Sequence, residues 1–109
     1  MLQPDIVVFT AERRHCVQLD APIQAPPDVA VEVLSPSTVV SDRGRKLRQF
    51  ERFGVPEYWI LDLAGERVEV RTLRGARYLP PVSSARTEVF TSQVLIGFSC
   101  AVDALFPVG

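Results

Sequence analysis

The sequence predicts a mixed α/β domain of the α+β kind, a mixed sheet whose strands flank one principal helix. Three observations carry this. β-Branched and aromatic runs occur at residues 6–10 and 29–34, apolar residues recur at helical spacing over 42–53, and an apolar run at 58–63 leads into alternating apolar and charged residues. With 109 residues, 47% hydrophobic and 23% charged, the chain has the composition of a single globular domain over residues 1–109 and not of a disordered tail.

The elements follow in order. Pro4-Asp5 leads into Ile6-Val7-Val8-Phe9-Thr10, which reads as a buried strand. Residues 11–27 mix charges with Pro22, Pro26 and Pro27 and read as a loop, with Cys16-Val17-Gln18-Leu19 able to form a short extended piece. Val29-Ala30-Val31-Glu32-Val33-Leu34 is a second strand, stopped by the turn chemistry of Ser35-Pro36-Ser37-Thr38. From Asp42 to Phe53, Leu47, Phe50 and Phe53 recur every three residues among arginines, which predicts an amphipathic helix. Ser41 is its candidate cap, and Gly54 followed by Pro56 ends it. A helical crossover between the second strand and Tyr58-Trp59-Ile60-Leu61-Asp62-Leu63 makes those two strands parallel. Ala64-Gly65 turns the chain into Glu66–Leu73, where Val68 and Val70 alternate with charges. Gly75 turns it again towards Tyr78 and the Pro80-Pro81 break. Beyond that, Glu88-Val89-Phe90 is a strand candidate, Val94-Leu95-Ile96 a strand or loop, and 102–106 an apolar terminal turn.

Charge and composition exclude several functions. Twelve Lys and Arg against thirteen Asp and Glu leave a net charge of −1, so no global basic field draws the protein to nucleic acid and any phosphate contact must be local. No apolar run approaches the roughly 20 residues of a membrane span. No signal peptide is visible, so a cytoplasmic location is expected, and the two widely separated cysteines, Cys16 and Cys100, read as free thiols. His15 has no partner histidine, and the glycines stand singly, so neither a histidine-based nucleophile site nor a phosphate loop can be argued. Tyr58-Trp59 could form a base-stacking platform, but inside an apolar strand it reads as core.

Glu32 is the residue that does not fit. It lies in a strand apolar on both faces, where an ionised carboxylate is costly unless paired, protonated or bound to metal. Alternation puts it on one face with Ala30 and Leu34, with the three valines opposite. An ion pair with a basic residue of the helix would suffice to hold it. Alternatively, neighbouring strands bring Asp5 to Glu32, and two carboxylates with carbonyls and waters make a hard-oxygen site for Mg²⁺. Asp42 and Lys46, four apart on the helix, are either a surface pair or, if that side faces Glu32, a source of an ammonium near a metal-bound water or a phosphate oxygen.

Gln3-Pro4-Asp5-Ile6-Val7-Val8, then Pro27-Asp28 through Glu32 to Thr38, then Asp42 and Lys46, then Gly54-Val55-Pro56-Glu57-Tyr58-Trp59-Ile60-Leu61-Asp62 resemble the Uma-type family of putative restriction endonucleases, a branch of the PD-(D/E)XK nuclease superfamily. The Gln93–Phe106 tail resembles that family's closing segment. The resemblance implies a restriction-endonuclease-like core and a Mg²⁺- or Mn²⁺-dependent phosphodiesterase acting on DNA. It assigns the metal-holding acids to Asp5 and Glu32. The lysine position two beyond the glutamate holds Leu34, a departure from the superfamily pattern, and the family's helix supplies the cation instead, at Lys46. Asp28, Ser35 and Asp42 match positions that support strand ends and the helix start. Relative to the family the chain lacks an N-terminal helix and strands, so a homodimer covering the uncovered sheet edge is expected. Two other readings stand beside the nuclease. One is a non-catalytic interaction or assembly domain. The other is a DNA-binding module using the local basic surface of Arg43, Arg45, Lys46, Arg48 and Arg52.

Overall fold

The two apolar runs that read as central strands lie side by side and parallel. Val29–Leu34 (β2) pairs with Glu57–Asp62 (β3), with Glu32 opposite Ile60 and Ala30 opposite Tyr58. The computed structural model describes residues 4–17, 25–35 and 40–106. The connection between the two strands contains the helix Val40–Phe53 (α1). Ile6–Val8 (β1) adds antiparallel to the other side of β2, and Arg67–Arg74 (β4) adds antiparallel to β3. Arg77–Tyr78 (β5) and Val82–Ala85 (β6) both pair with β4, giving a mixed sheet of six strands among the described residues. Val89–Thr91 (β7) and Ser99–Ala101 (β8) form a separate antiparallel ladder.

Side-chain alternation divides the interior into two layers of packing. On one face Ala30, Tyr58 and Ile60 meet Phe50, Val55 and Tyr78, with Leu34, Leu47, Phe53 and Leu73 closing the edges. On the other, Val29, Val31, Trp59, Val68 and Val70 meet Phe90, Val102 and Phe106 from the tail. Each large apolar side chain so buried contributes about 1.5–3 kcal/mol. The helix stripe Leu47, Phe50, Phe53 thus covers one face of the sheet, and the chain's last third covers the other.

α1 ends as its sequence predicts. Gly54 takes φ 82°, its N–H reaches the carbonyls of Phe50 and Glu51, and the Val55 N–H reaches Phe50 as well, the paired closure of a Schellman motif. Its start differs from expectation. The helix is described from Val40, so Ser41 lies inside its first turn and not ahead of it. The residues that would cap it, and the Ser35–Thr38 turn beyond Ser35, lie outside the described residues. Residues 11–16 form a 3-10 turn, while Gln18 and Leu19, expected as an extended piece, lie outside the described residues.

In the last third, β7 and the turn at Val102–Leu105 fall where expected. Val94-Leu95-Ile96 is irregular. β6 and β8 carry no apolar periodicity and were not predicted; both are short, small-residue segments recruited by the hydrogen-bonding edges of β4 and β7. Cys16 and Cys100 are free. Among the described residues no helix is long and apolar enough to cross a membrane.

Candidate active site

β2 holds Glu32 on the helix side of the sheet, where only 2% of its surface is exposed. Lys46, midway along α1, donates from Nζ to Glu32 Oε2 at 3.1 Å. Glu32 Oε1 is buried and has no hydrogen-bond partner among the described residues. Burial pushes the Glu32 carboxyl above its ordinary pKa; the Lys46 ammonium pulls it down and the Asp5 carboxyl pushes it further up. Oε2 of this carboxylate is therefore engaged by the helix, while Oε1 meets no donor among the described residues.

Asp5 immediately precedes β1. The β1–β2 register pairs Ile6 with Val31, and one residue further back it sets Asp5 across from Glu32 on the same face. Asp5 Oδ2 accepts the Val33 N–H at 2.7 Å, so the chain end of β1 is clamped to β2 beside Glu32. Asp5 is exposed where Glu32 is buried, so the pair joins a solvated acid to a desolvated one. Asp5, Glu32 and Lys46 are thus brought together by three elements. Leu34, two beyond Glu32, packs at the edge of the helix-side core and brings no charge to it.

Asp28, also singled out in the sequence, has other partners. It is paired with Arg13 at 3.0 Å and accepts the Thr10 N–H at 2.8 Å, bracing the ends of β1 and β2. The side chain of Asp42 lies outside the described residues. His15 is exposed on the 3-10 turn. No group of three or more His, Cys, Asp or Glu converges among the described residues. The donor set is accordingly two carboxylates, one with a buried oxygen lacking any partner. That fits a Mg²⁺-like ion, which takes one or two carboxylates and completes its shell with waters and substrate phosphate.

Sequence reasoning missed the wall beside this cluster. Arg43, Gly44, Leu47, Tyr58, Ile60 and Arg71 line a cleft of about 250 Å³ between α1 and β4. Arg43 pairs with Glu69 at 3.6 Å. Burial, then the Glu32 carboxylate, raises the Tyr58 phenol, while Arg43 and Arg71 act in the opposite direction. The signal was present in the alternation of β4, which sets Glu69 and Arg71 on the face opposite Val68 and Val70. Glu57, also fully buried, is different in kind. It accepts Trp59 Nε1 and Ser92 Oγ, each at 2.6 Å, and the Gln93 N–H at 3.0 Å, so it ties the tail to β3 on the far face of the sheet.

A mixed sheet with one main helix across one face is a mixed α+β domain of the kind seen in a nuclease-like neighbour. The fold is shared with a crystal structure described as a putative nuclease belonging to DUF820 from Anabaena variabilis ATCC 29413. That match has a TM-score of 0.61 and 15% identity, and covers 75% of this chain and 45% of the other. The present chain therefore spans less than half the length of that protein. The family model of Uma2, putative restriction endonuclease, matches residues 1–103, and the chain belongs to this family. No curated protein matches the chain.

Proposed function

We propose that the protein is a metal-dependent endonuclease that hydrolyses DNA phosphodiester bonds, with Mg²⁺ or Mn²⁺ held by Asp5 and Glu32 and Lys46 as the adjacent cation. The observation that carries this is the buried, unpartnered Oε1 of Glu32 beside Asp5. A protein that needed only a structural ion pair at this position would have no use for an oxygen left unsatisfied at a cost of about 1–3 kcal/mol. When bound, the ion supplies a Lewis acid that polarises a phosphoryl oxygen and lowers the pKa of water. Lys46 has three N–H donors and gives one to Glu32, which leaves two for a phosphate oxygen or an attacking water. Hydrolysis adds the water oxygen to phosphorus and releases the bridging oxygen as an alcohol. Family membership and the fold of a solved putative nuclease support the same reading.

A second reading, a non-catalytic assembly domain, is favoured by the Lys46–Glu32 pair itself, which compensates the buried charge without any ion. β1 is an edge strand of the sheet and carries an Ile6 that is 50% exposed, so a second copy adding there would make a homodimer. With two free thiols, a cytoplasmic setting suits either reading.

The test is cleavage of supercoiled plasmid by the full chain with Mg²⁺ or Mn²⁺, against EDTA. Nicked and linear products that vanish in a folded Glu32→Ala variant support the nuclease. An intact protein that neither cuts nor binds either ion by calorimetry overturns it, and a stable dimer in sedimentation then points to the assembly domain.

A further inference from the structure

The cleft beside the acid cluster does not end at the site. One turn further along the same flank of α1, Arg48, Glu51, Arg52, Ala76 and Arg77 line a second depression of about 350 Å³. Arg48 lies between them. Gly44 belongs to the first, and the Arg48 guanidinium of the second lies 4.0 Å from where a side-chain carbon on Gly44 would stand. Ile60, in the wall of the first cleft, is the residue opposite Glu32 in the β2–β3 ladder. The two depressions therefore follow the side of α1 that faces β4 and β5, and the first has the ladder neighbour of Glu32 in its wall.

Their charge is one-sided. Arg43, Arg71, Arg48, Arg52 and Arg77 line them, against Glu69, which pairs with Arg43, and Glu51, whose Oε2 is already committed to the Tyr78 N–H. Arg48, Arg52 and Arg77 make no ion pair among the described residues. A protein of net charge −1 has thus concentrated arginines along one flank of α1, three of them without an ion pair among the described residues. Arg43, Arg48 and Arg52 stand five and four residues apart along α1, roughly 6–7.5 Å at about 1.5 Å per residue, which suits a polymer carrying one negative charge per repeating unit better than a single small anion.

We propose that the two depressions form one groove, the track of a nucleic-acid backbone, with one phosphate over Tyr58 between Arg43 and Arg71 and a following one at Arg48 and Arg52. The inference rests on the nuclease reading for the direction of the track, from Glu32 outward, but its binding can be tested with cleavage switched off.

The experiment is fluorescence anisotropy of a fluorescein-labelled DNA duplex with the full chain in EDTA, titrated across a salt series. The chains compared are wild type, Arg48→Ala/Arg52→Ala, Arg71→Ala, and Arg14→Ala on the exposed 3-10 turn as control. Each lost phosphate contact should flatten the slope of log K against log salt by about 0.9, so the double variant flattens it by up to twice that while Arg14→Ala leaves it unchanged. Equal losses in the control and groove variants, unchanged slopes in the groove variants, or no binding by wild type each overturn the track. Groove-dependent binding by a chain that never cuts with Mg²⁺ or Mn²⁺ would instead overturn the nuclease reading and leave the track standing. Circular dichroism melts confirm that the variants, all altered at solvent-reachable arginines, stay folded.

Discussion

Lys46 and Glu32 are joined across the helix–sheet interface at 3.1 Å, one side chain 39% exposed and the other 3%. The asymmetry means that the lysine can leave for water at little cost, whereas the carboxylate cannot. Everything expected of this site follows from which partner Glu32 has when Lys46 turns away.

The first prediction concerns pH. Because the folded state holds the Glu32 proton more tightly than the unfolded chain, the native protein is favoured with Glu32 protonated. That advantage is whole below the unfolded value near 4.5 and is lost as pH rises through the elevated folded one. Glu32→Gln removes the dependence. The Tm of the variant minus that of wild type should be smallest near pH 4 and increase towards pH 7 by calorimetry; a pH-independent difference would contradict the raised carboxyl.

Metal should act on the same group with the opposite sign. At pH 7, Mn²⁺ or Mg²⁺ at a hundred times its dissociation constant should stabilise wild type by about 2.7 kcal/mol, seen as a higher Tm. Asp5→Asn should lose part of the rise and Glu32→Gln nearly all of it. An equal rise in all three would locate the ion elsewhere.

Removing the helix cation leaves the acid buried alone. Lys46→Met should cost about 1–2 kcal/mol in urea unfolding at pH 7, below the usual range for breaking a buried pair because Lys46 is partly exposed. Lys46→Arg should keep the stability. If Lys46 also serves the reaction, both variants should lower any plasmid cleavage by about a hundredfold or more, the ordinary size of a positioned proton-transfer or cationic group. Loss of stability with undiminished cleavage would confine Lys46 to a structural role.

Much of this was legible in the sequence, for a physical reason. Period-2 alternation around Glu32 fixed its face, and the three-residue recurrence of Leu47, Phe50 and Phe53 fixed which side of α1 meets the sheet. They left Lys46 either a surface residue or a partner of Glu32, and the resemblance to the family favoured the second. Asp5 needed more, because nothing local says that β1 pairs antiparallel with β2 and not with β3; that is a choice made by the assembled sheet. β6 and β8 were invisible because Val82-Ser83-Ser84-Ala85 and Ser99-Cys100-Ala101 have no apolar rhythm and extend only where a partner strand offers its edge. Arg71 read as one charge among many on a solvated face until β3 set Tyr58 beside it.

Glu57 supplies a control for the acid cluster, since it is as buried as Glu32 but fully bonded. Glu57→Ala should cost about 3 kcal/mol by stranding the donors of Trp59, Ser92 and Gln93. The stabilisation by added Mn²⁺ should survive unchanged in that variant. A loss of metal response would mean that the two faces of the sheet are coupled.

Trp59 gives its indole N–H to Glu57 and packs edge-on to Phe90, at 5.1 Å between ring centres, and against Phe98 at 5.2 Å. As the chain's sole tryptophan, it makes the molecule's intrinsic emission a gauge of how firmly the closing hairpin is seated. Light from this indole will follow the unfastening of the tail and stay indifferent to ions or strands arriving on the reverse of the sheet. Local opening and ligand capture can therefore be followed as two independent signals in one unlabelled sample.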